Sequence, residues 1–198
     1  IYLVMPYLPG ELLSDREGKA GQLPVEQGVA WLVQICSGLH HAHLMNIVHR
    51  DLKPENVMLV PDDGGGDKAV VMDFGLAKEK RADPAIQKLT ATGIILGTPE
   101  FMSPEQIEGR QPTPAFDVYA LGVVLFEMLT GRRPFDVEGF TTTQRLIRAA
   151  PDPSLLVRGL DRGWDQLVAR CLARDPSRRF ARVEDIVPPA PAPRSPWS

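Results

Sequence analysis

Cysteine is scarce in this chain, and it has neither a long apolar run nor an excess of one charge. The two cysteines, Cys36 and Cys171, lie inside apolar periodic stretches, so buried thiols in a reducing compartment are expected rather than a disulfide. The longest apolar run, residues 118–126, is far shorter than the ~20 residues of a membrane-spanning helix. Lys and Arg number 22 against 25 Asp and Glu, which argues against a nucleic-acid-binding surface.

The composition that is present is that of a globular protein. The chain has 198 residues, of which 43% are hydrophobic and 24% are charged, enough for one large domain with a core of its own. Residues 1–5 are apolar without a basic leader, which favours a buried strand over a signal peptide, so we interpret the chain as a fragment. Residues 188–198 contain five prolines and are predicted to be a linker or tail.

Hydrophobic periodicity predicts a mainly helical α+β fold with a small β-hairpin. The predicted elements are helices over 24–43, 115–129, 139–150 and 162–173 and strands over 56–60 and 69–72. The helix over 115–129 is apolar nearly all round, which indicates a buried helix, and Gly131 is predicted to end it. Residues 74–114 have no steady period and are predicted to be a long functional loop with short helical turns.

The candidate catalytic residues lie in residues 49–56, which read H-R-D-L-K-P-E-N, and at Asp73. Asp51, Lys53 and Asn56 share one loop between a helix and the hairpin, and Asp73 follows the return strand, so the four side chains are expected to converge. Asp73 and Asn56 offer the hard oxygen ligands that Mg²⁺ prefers. Asp51 can then accept a hydroxyl proton, while Lys53 neutralises charge on a phosphoryl group in transfer.

Several segments in this order resemble the eukaryotic-like protein kinases, and most of all the bacterial serine/threonine kinases. Residues 49–56 match H-R-D-L-x-x-x-N, and residues 73–75 match D-F-G. Residues 97–105 are similar to the substrate-side loop of that family, here ending in S-P-E. Residues 117–122 are similar to its central buried helix, and residues 175–180 to the segment that pairs with the substrate loop.

This resemblance covers residues 1–187 and implies a protein-kinase-like C-terminal lobe that begins at the hinge. The N-terminal β-rich lobe is expected to be absent, because no G-x-G-x-x-G occurs anywhere in the chain. The implied reaction moves the γ-phosphoryl of ATP to Ser/Thr hydroxyls with Mg²⁺. The resemblance assigns catalytic roles to Asp51, Lys53, Asn56, Asp73 and Thr98. It assigns Mg²⁺ to Asn56 and Asp73. It assigns nucleotide binding to Met5, Pro6, Leu8, Lys53, Asn56, Met58 and Asp73.

The histidines near the motif are interpreted as structural. A zinc site could be suspected at His40, His41 and His43, but no Cys or carboxylate lies at ligand spacing from them. They are therefore expected to be helix-end and packing residues. His49 is a packing residue in the family, stacked in the core with Phe74.

The resemblance also implies two ionic contacts. Arg50 is a buried cation whose expected counter-ion is a phosphate on Thr90 or Thr92 of the segment between residues 73 and 105. Glu105 and Arg179 are expected to form a buried ion pair that joins the substrate loop to the late helices.

The same residues bear on two alternatives to a serine/threonine kinase. A catalytically inactive, pseudokinase-like scaffold is disfavoured by the intact catalytic carboxylates, and a small-molecule phosphotransferase by the substrate loop. The polypeptide by itself is expected to be inactive, since the N-terminal lobe is missing. The expected partners are a protein substrate and ATP, with no nucleic acid and no membrane segment, and a homodimer for autophosphorylation in trans is allowed. The expected location is cytoplasmic, with an anchor allowed elsewhere in the protein.

Overall fold

The structure is a computed structural model that describes residues 6–74, 99–136 and 149–189. The predicted strand over 1–5 and most of the predicted helix over 139–150 lie outside these residues. Four residues named above also lie outside the described residues: Met5, Thr90, Thr92 and Thr98.

The described chain is mainly helical, with one small sheet. Its helices are α1 (Leu13–Ala20), α2 (Val25–Leu44), α3 (Pro104–Ile107), α4 (Pro114–Thr130), α5 (Pro153–Leu156) and α6 (Gly163–Cys171). Its strands are β1 (Glu11–Leu12), β2 (Val57–Pro61) and β3 (Asp67–Val71). Single 3₁₀ turns occupy Pro54–Asn56, Pro99–Phe101, Pro176–Arg178 and Val183–Asp185. The predicted α+β class is confirmed.

Helix α4 is the centre of the core. It is buried on nearly every face, as its all-round apolar sequence predicted. Gly131 ends the helix with φ 71°, and its N–H donates to the Glu127 carbonyl at 2.7 Å. Helices α2 and α6 both pack against α4.

The sheet is antiparallel in the order β1-β2-β3, and Val57 pairs with Val71. Its β2–β3 hairpin confirms the two predicted strands with shifts of one or two residues. Strand β1 was not predicted, because two residues carry no periodic signal. It pairs Glu11 with Leu59, and a Cβ at Gly10 would lie 2.1 Å from the Leu59 carbonyl oxygen. Only glycine therefore permits this close approach.

Both cysteines are buried and unbridged, which confirms the prediction of two core thiols. Burial raises the pKa of Cys36 to about 12, and it raises the pKa of Cys171 as well. Neither thiol is therefore a ready nucleophile. Within residues 6–74, 99–136 and 149–189, no helix combines the length and apolar character needed to cross a membrane.

Candidate active site

The candidate catalytic loop connects α2 to β2, and it brings Asp51, Lys53 and Asn56 together as predicted. The Lys53 Nζ lies 3.3 Å from the Asp51 Oδ2. The Asn56 Nδ2 donates to the Asp51 carbonyl at 2.7 Å and lies 3.4 Å from its Oδ2. The 3₁₀ turn Pro54–Asn56 folds Asn56 back toward Asp51, and the Asn56 N–H donates to the Lys53 carbonyl at 2.9 Å.

The buried carboxylate of Asp117, in the first turn of α4, is hydrogen-bonded to this loop. Its Oδ1 accepts the Arg50 N–H at 2.9 Å, and its Oδ2 accepts the His49 N–H at 2.9 Å. The same Oδ2 accepts the His43 Nε2–H at 2.7 Å. A carboxylate that is fully shielded from water needs such donors, because an unsatisfied buried charge is costly.

These contacts add to one interpretation made from the sequence, since His43 lies at the end of α2 as expected. His43 is more than a packing residue, since it hydrogen-bonds Asp117 across 74 residues of sequence. The signal that sequence reasoning missed was Asp117 itself: a carboxylate at the start of a helix that is otherwise apolar all round must find partners. His40 and His41 make separate contacts, with Glu184 at 3.0 Å and with the Ser37 carbonyl at 2.9 Å.

His49 packs in the core beside Phe74, as the resemblance implied. Their ring centres lie 4.8 Å apart in an edge-to-face arrangement. The His49 Nδ1 accepts the Asp51 N–H at 3.3 Å, and Nε2 lies 2.7 Å from the Met72 carbonyl. Because Nδ1 accepts and the Met72 oxygen can only accept, these contacts are those of the tautomer with its proton on Nε2. The ring thus links the catalytic loop to the end of β3.

Asn56 and Asp73 are brought near each other by that same strand. The Met72 N–H donates to the Asn56 carbonyl at 2.9 Å, which places the neighbouring Asp73 beside the catalytic loop. Asp73 is exposed, and its φ of 60° lies in the left-handed region. Since the Asn56 Nδ2 is committed to Asp51, Oδ1 is the atom with which Asn56 can ligate a cation. One carboxylate and one amide oxygen form a donor set that fits Mg²⁺, which retains water and phosphate oxygens.

Two of the predicted hinge residues lie in the segment before β1, which has no regular secondary structure. Pro6 is exposed and Leu8 is half-buried. Met58 is half-buried in β2, where it pairs with Leu12 on one side and Val70 on the other.

The predicted ion pair between Glu105 and Arg179 is confirmed. The Arg179 guanidinium donates to both carboxylate oxygens, at 2.6 and 2.7 Å, with both side chains buried. The same guanidinium also donates to the carbonyls of Ala115 and Ala173, each at 2.8 Å, and to that of Arg174 at 3.3 Å. The pair thereby joins α3 to the chain that follows α6.

Comparison with known proteins identifies the family that this loop and helical core define. A family model described as the protein kinase domain matches residues 1–188. The chain belongs to this family.

Its relatives include bacterial serine/threonine-protein kinases. Pkn1 of Myxococcus xanthus is 40% identical over 186 residues, which are 92% of this chain and 26% of that protein. PknL of Mycobacterium tuberculosis is 38% identical over 182 residues, 91% of this chain and 44% of that protein. PknA of Corynebacterium glutamicum is 38% identical over 179 residues, 90% of this chain and 36% of that protein. The chain thus spans less than half the length of each of these relatives.

Proposed function

We propose that this protein is an ATP-dependent serine/threonine kinase that transfers the γ-phosphoryl group to hydroxyls of a protein substrate. The observation that carries the proposal is the catalytic loop, in which Asp51 and Lys53 lie 3.3 Å apart. A carboxylate held beside an ammonium group can accept the hydroxyl proton while the cation meets the negative charge of the phosphoryl group. The relatives that carry the name of such kinases support the same function and give no support to an inactive scaffold.

The nucleotide and metal belong to this proposal. Asn56 and Asp73 would hold Mg²⁺, which when bound would supply positive charge to the phosphate oxygens. Met58 would lie beneath adenine, and the hinge residues Met5, Pro6 and Leu8 would border it. Pro6 has no N–H, so it can offer adenine only its carbonyl, whereas Leu8 can offer an N–H. Thr98 would contact Asp51 and Lys53 from the substrate side.

Replacement of the proposed base tests the function directly. In the full-length protein, Asp51→Asn should lower kcat by at least ~10²-fold, the scale of a positioned acid–base group. Nucleotide affinity should change little, because Asp51 is not a proposed metal ligand. The matched control is Asp63→Asn, which alters an exposed carboxylate of the β2–β3 turn. Near-normal turnover in Asp51→Asn would remove the role given to Asp51.

Regulation through Arg50 is part of the same proposal. The buried Arg50 Nε has no hydrogen-bond partner among the described residues. A phosphate on Thr90 or Thr92 would supply about −1.5 to −2 charges and three acceptor oxygens. Phosphorylation in trans within a homodimer would then order the segment before Thr98. Mass spectrometry after incubation with ATP should find the phosphate, and full activity in a Thr90→Ala/Thr92→Ala variant would contradict the mechanism.

The proposed function also implies boundaries for the kinase domain. We place the hinge and C-terminal lobe of the kinase domain over residues 1–187, with residues 188–198 as a Pro-rich linker or tail. Limited proteolysis should cut first within residues 188–198.

A further inference from the structure

Gln106 connects two loops that the proposed mechanism leaves unconnected. It lies in α3, directly after Glu105, and its side chain is buried. The Gln106 Nε2 donates to the Arg50 carbonyl at 2.7 Å, across 56 residues of sequence. Because a carbonyl oxygen can only accept, the donating atom is the amide nitrogen. The end of the substrate loop is therefore hydrogen-bonded to the backbone that leads into Asp51.

The peptide bond between Arg50 and Asp51 is the part of the catalytic loop that this contact holds. Arg50 has φ 70°, a left-handed conformation that a residue with a side chain keeps only when its surroundings enforce it. Its N–H is held by Asp117 at 2.9 Å, and its carbonyl is held by Gln106 at 2.7 Å. Each side of the strained residue thus has its own restraint. The remaining restraint on the same peptide, from the Asp51 N–H to the His49 Nδ1, is longer, at 3.3 Å.

Gln106 is itself fixed from the other direction. The Ser103 side chain caps α3 by accepting the Gln106 N–H at 3.3 Å. The preceding residue, Glu105, is held by Arg179 in the buried bidentate pair. A side chain supported by such a turn can transmit the position of α3 to the catalytic loop, because neither end of the contact can relax into solvent.

We propose that Gln106 is a positioning residue for phosphoryl transfer. By holding the Arg50 carbonyl it sets the orientation of the following peptide and so aims the Asp51 carboxylate. The orientation of the Asp51 carboxylate then depends on the position of α3. This inference rests on the proposed function of Asp51, and its chemical basis is one neutral hydrogen bond to a strained backbone.

Gln106→Met in the full-length protein removes the donor while keeping the length of the side chain. We expect kcat to fall about 10-fold to 10²-fold, since small misplacements of a reacting group have effects of this size. KM for ATP should change less than about twofold, because the contact does not touch the nucleotide. The matched control is Gln34→Met. Gln34 also bonds a backbone group across elements, accepting the Ala69 N–H at 2.6 Å, but this contact is with β3 and not with the catalytic loop. This control should keep kcat.

Gln106→Glu separates positioning from general damage to the fold. An ionised carboxylate cannot donate to the Arg50 carbonyl, but a protonated one can. The kcat of Gln106→Glu, divided by that of the wild type at the same pH, should therefore rise as the pH falls. Thermal unfolding of each variant identifies any that do not fold, and the pH series then decides the question for the one that does.

Two outcomes would overturn the proposal: unchanged kcat in Gln106→Met, or a deficit in Gln106→Glu that is the same at every pH. Asp51→Asn, measured alongside, separates this inference from the proposed function. If Asp51→Asn is inactive while Gln106→Met keeps wild-type kcat, only the role of Gln106 fails. If Asp51→Asn keeps wild-type kcat, the assignment of the base fails first.

Discussion

At the scale of single residues, conformational strain lies next to the proposed chemistry. Among the described residues, those other than glycine with positive φ are Asn46, Arg50 and Asp73. Asparagine and aspartate adopt this conformation more readily than other residues with a side chain, whereas Arg50 does so at a cost of about 1–3 kcal/mol. Such strain persists where hydrogen bonds from elsewhere in the fold enforce it, and Arg50 has one on each side. The exact direction of the Asp51 side chain thus depends on residues far away in sequence.

Two half-buried glutamates, Glu17 and Glu127, have raised pKa values. Burial, and then the nearby Glu127 and Glu55, raise the pKa of Glu17 to about 9. Burial is also the main cause that raises the pKa of Glu127 to about 7, with Arg133 acting in the opposite direction. One oxygen of each carboxyl is buried without a hydrogen-bond partner in the described part of the chain. The folded protein therefore favours the protonated form of Glu17.

Glu17→Gln should stabilise the protein increasingly as the pH rises. A carboxyl whose folded pKa is raised contributes its full stability below pH 4.5, its ordinary value, and loses it as the pH rises toward about 9. Glutamine resembles the protonated form at every pH. The gain in unfolding free energy over the wild type should approach about 1–3 kcal/mol at high pH, because only the wild type has a buried carboxyl that must then ionise or stay protonated against the solvent pH. Urea denaturation at pH 5, 7 and 9 measures it.

The partner carboxyl provides the control for this experiment. The double variant Glu17→Gln/Glu127→Gln should gain less than the sum of the single variants, because replacing Glu127 already relieves part of the repulsion on Glu17. A gain from Glu17→Gln that is the same at pH 5 and pH 9 would show that Glu17 is not the titrating group.

At the scale of elements, the close packing of α4 on α6 sets the geometry of the core. Gly122 lies where the two helices approach, and a Cβ built there would be 2.6 Å from the Cys171 Cβ. A separation this short is a clash between two atoms that are fixed to their backbones, so rotation of a side chain cannot relieve it. Gly122, the last residue of the 117–122 motif, is therefore required by helix packing rather than by backbone conformation.

Gly122→Ala should destabilise the fold by about 1–3 kcal/mol, the range measured for overpacked cores. Alanine ordinarily stabilises a helix interior relative to glycine by about 1 kcal/mol, so the expected sign is opposite to that of helix propensity. Gly28→Ala in α2 is the matched control, since its Cβ would meet only the Met128 Cβ, at 4.0 Å. Denaturant midpoints should fall for Gly122→Ala and rise or stay level for Gly28→Ala. Equal shifts would mean that α4 and α6 are farther apart than described.

At the scale of the whole molecule, distant parts of the chain meet around α4. Its first turn provides Asp117 for the catalytic loop, and the Ala115 carbonyl accepts from Arg179. The Arg179 guanidinium also lies over the Tyr119 ring, 4.9 Å from its centre. One buried arginine thereby fixes α3, α4 and the chain after α6 in a single arrangement.

Removal of either partner of the Glu105–Arg179 pair should destabilise the whole unit. Arg179→Met should lower the unfolding free energy by about 3–5 kcal/mol, because it leaves the buried Glu105 carboxylate without its counter-ion. The control is Arg182→Met, which removes exposed ion pairs with Glu184 and Asp185 and should leave the unfolding free energy almost unchanged. If Arg179→Met were no worse than Arg182→Met, the pair would have no structural importance.

The sequence alone determined the elements whose signals are local. Helical periodicity located all four ends of α2 and α4 to within one residue, and Gly131 marked the end of α4 because a positive φ favours glycine. Consecutive residues of one loop predicted the cluster of Asp51, Lys53 and Asn56. These features depend on residues within a few positions of one another, so a linear pattern contains the information.

Only the tertiary structure decided the contacts that cross long stretches of sequence. The Asp117 carboxylate lies 68 residues from His49, and Gln106 lies 56 residues from Arg50. The raised pKa of Glu17 depends on Glu127 and Glu55, which come from other elements. Such neighbours are selected by the packing of buried faces against one another. Because hydrophobic packing is not directional, the sequence shows which faces are buried without showing which polar groups those faces bring together.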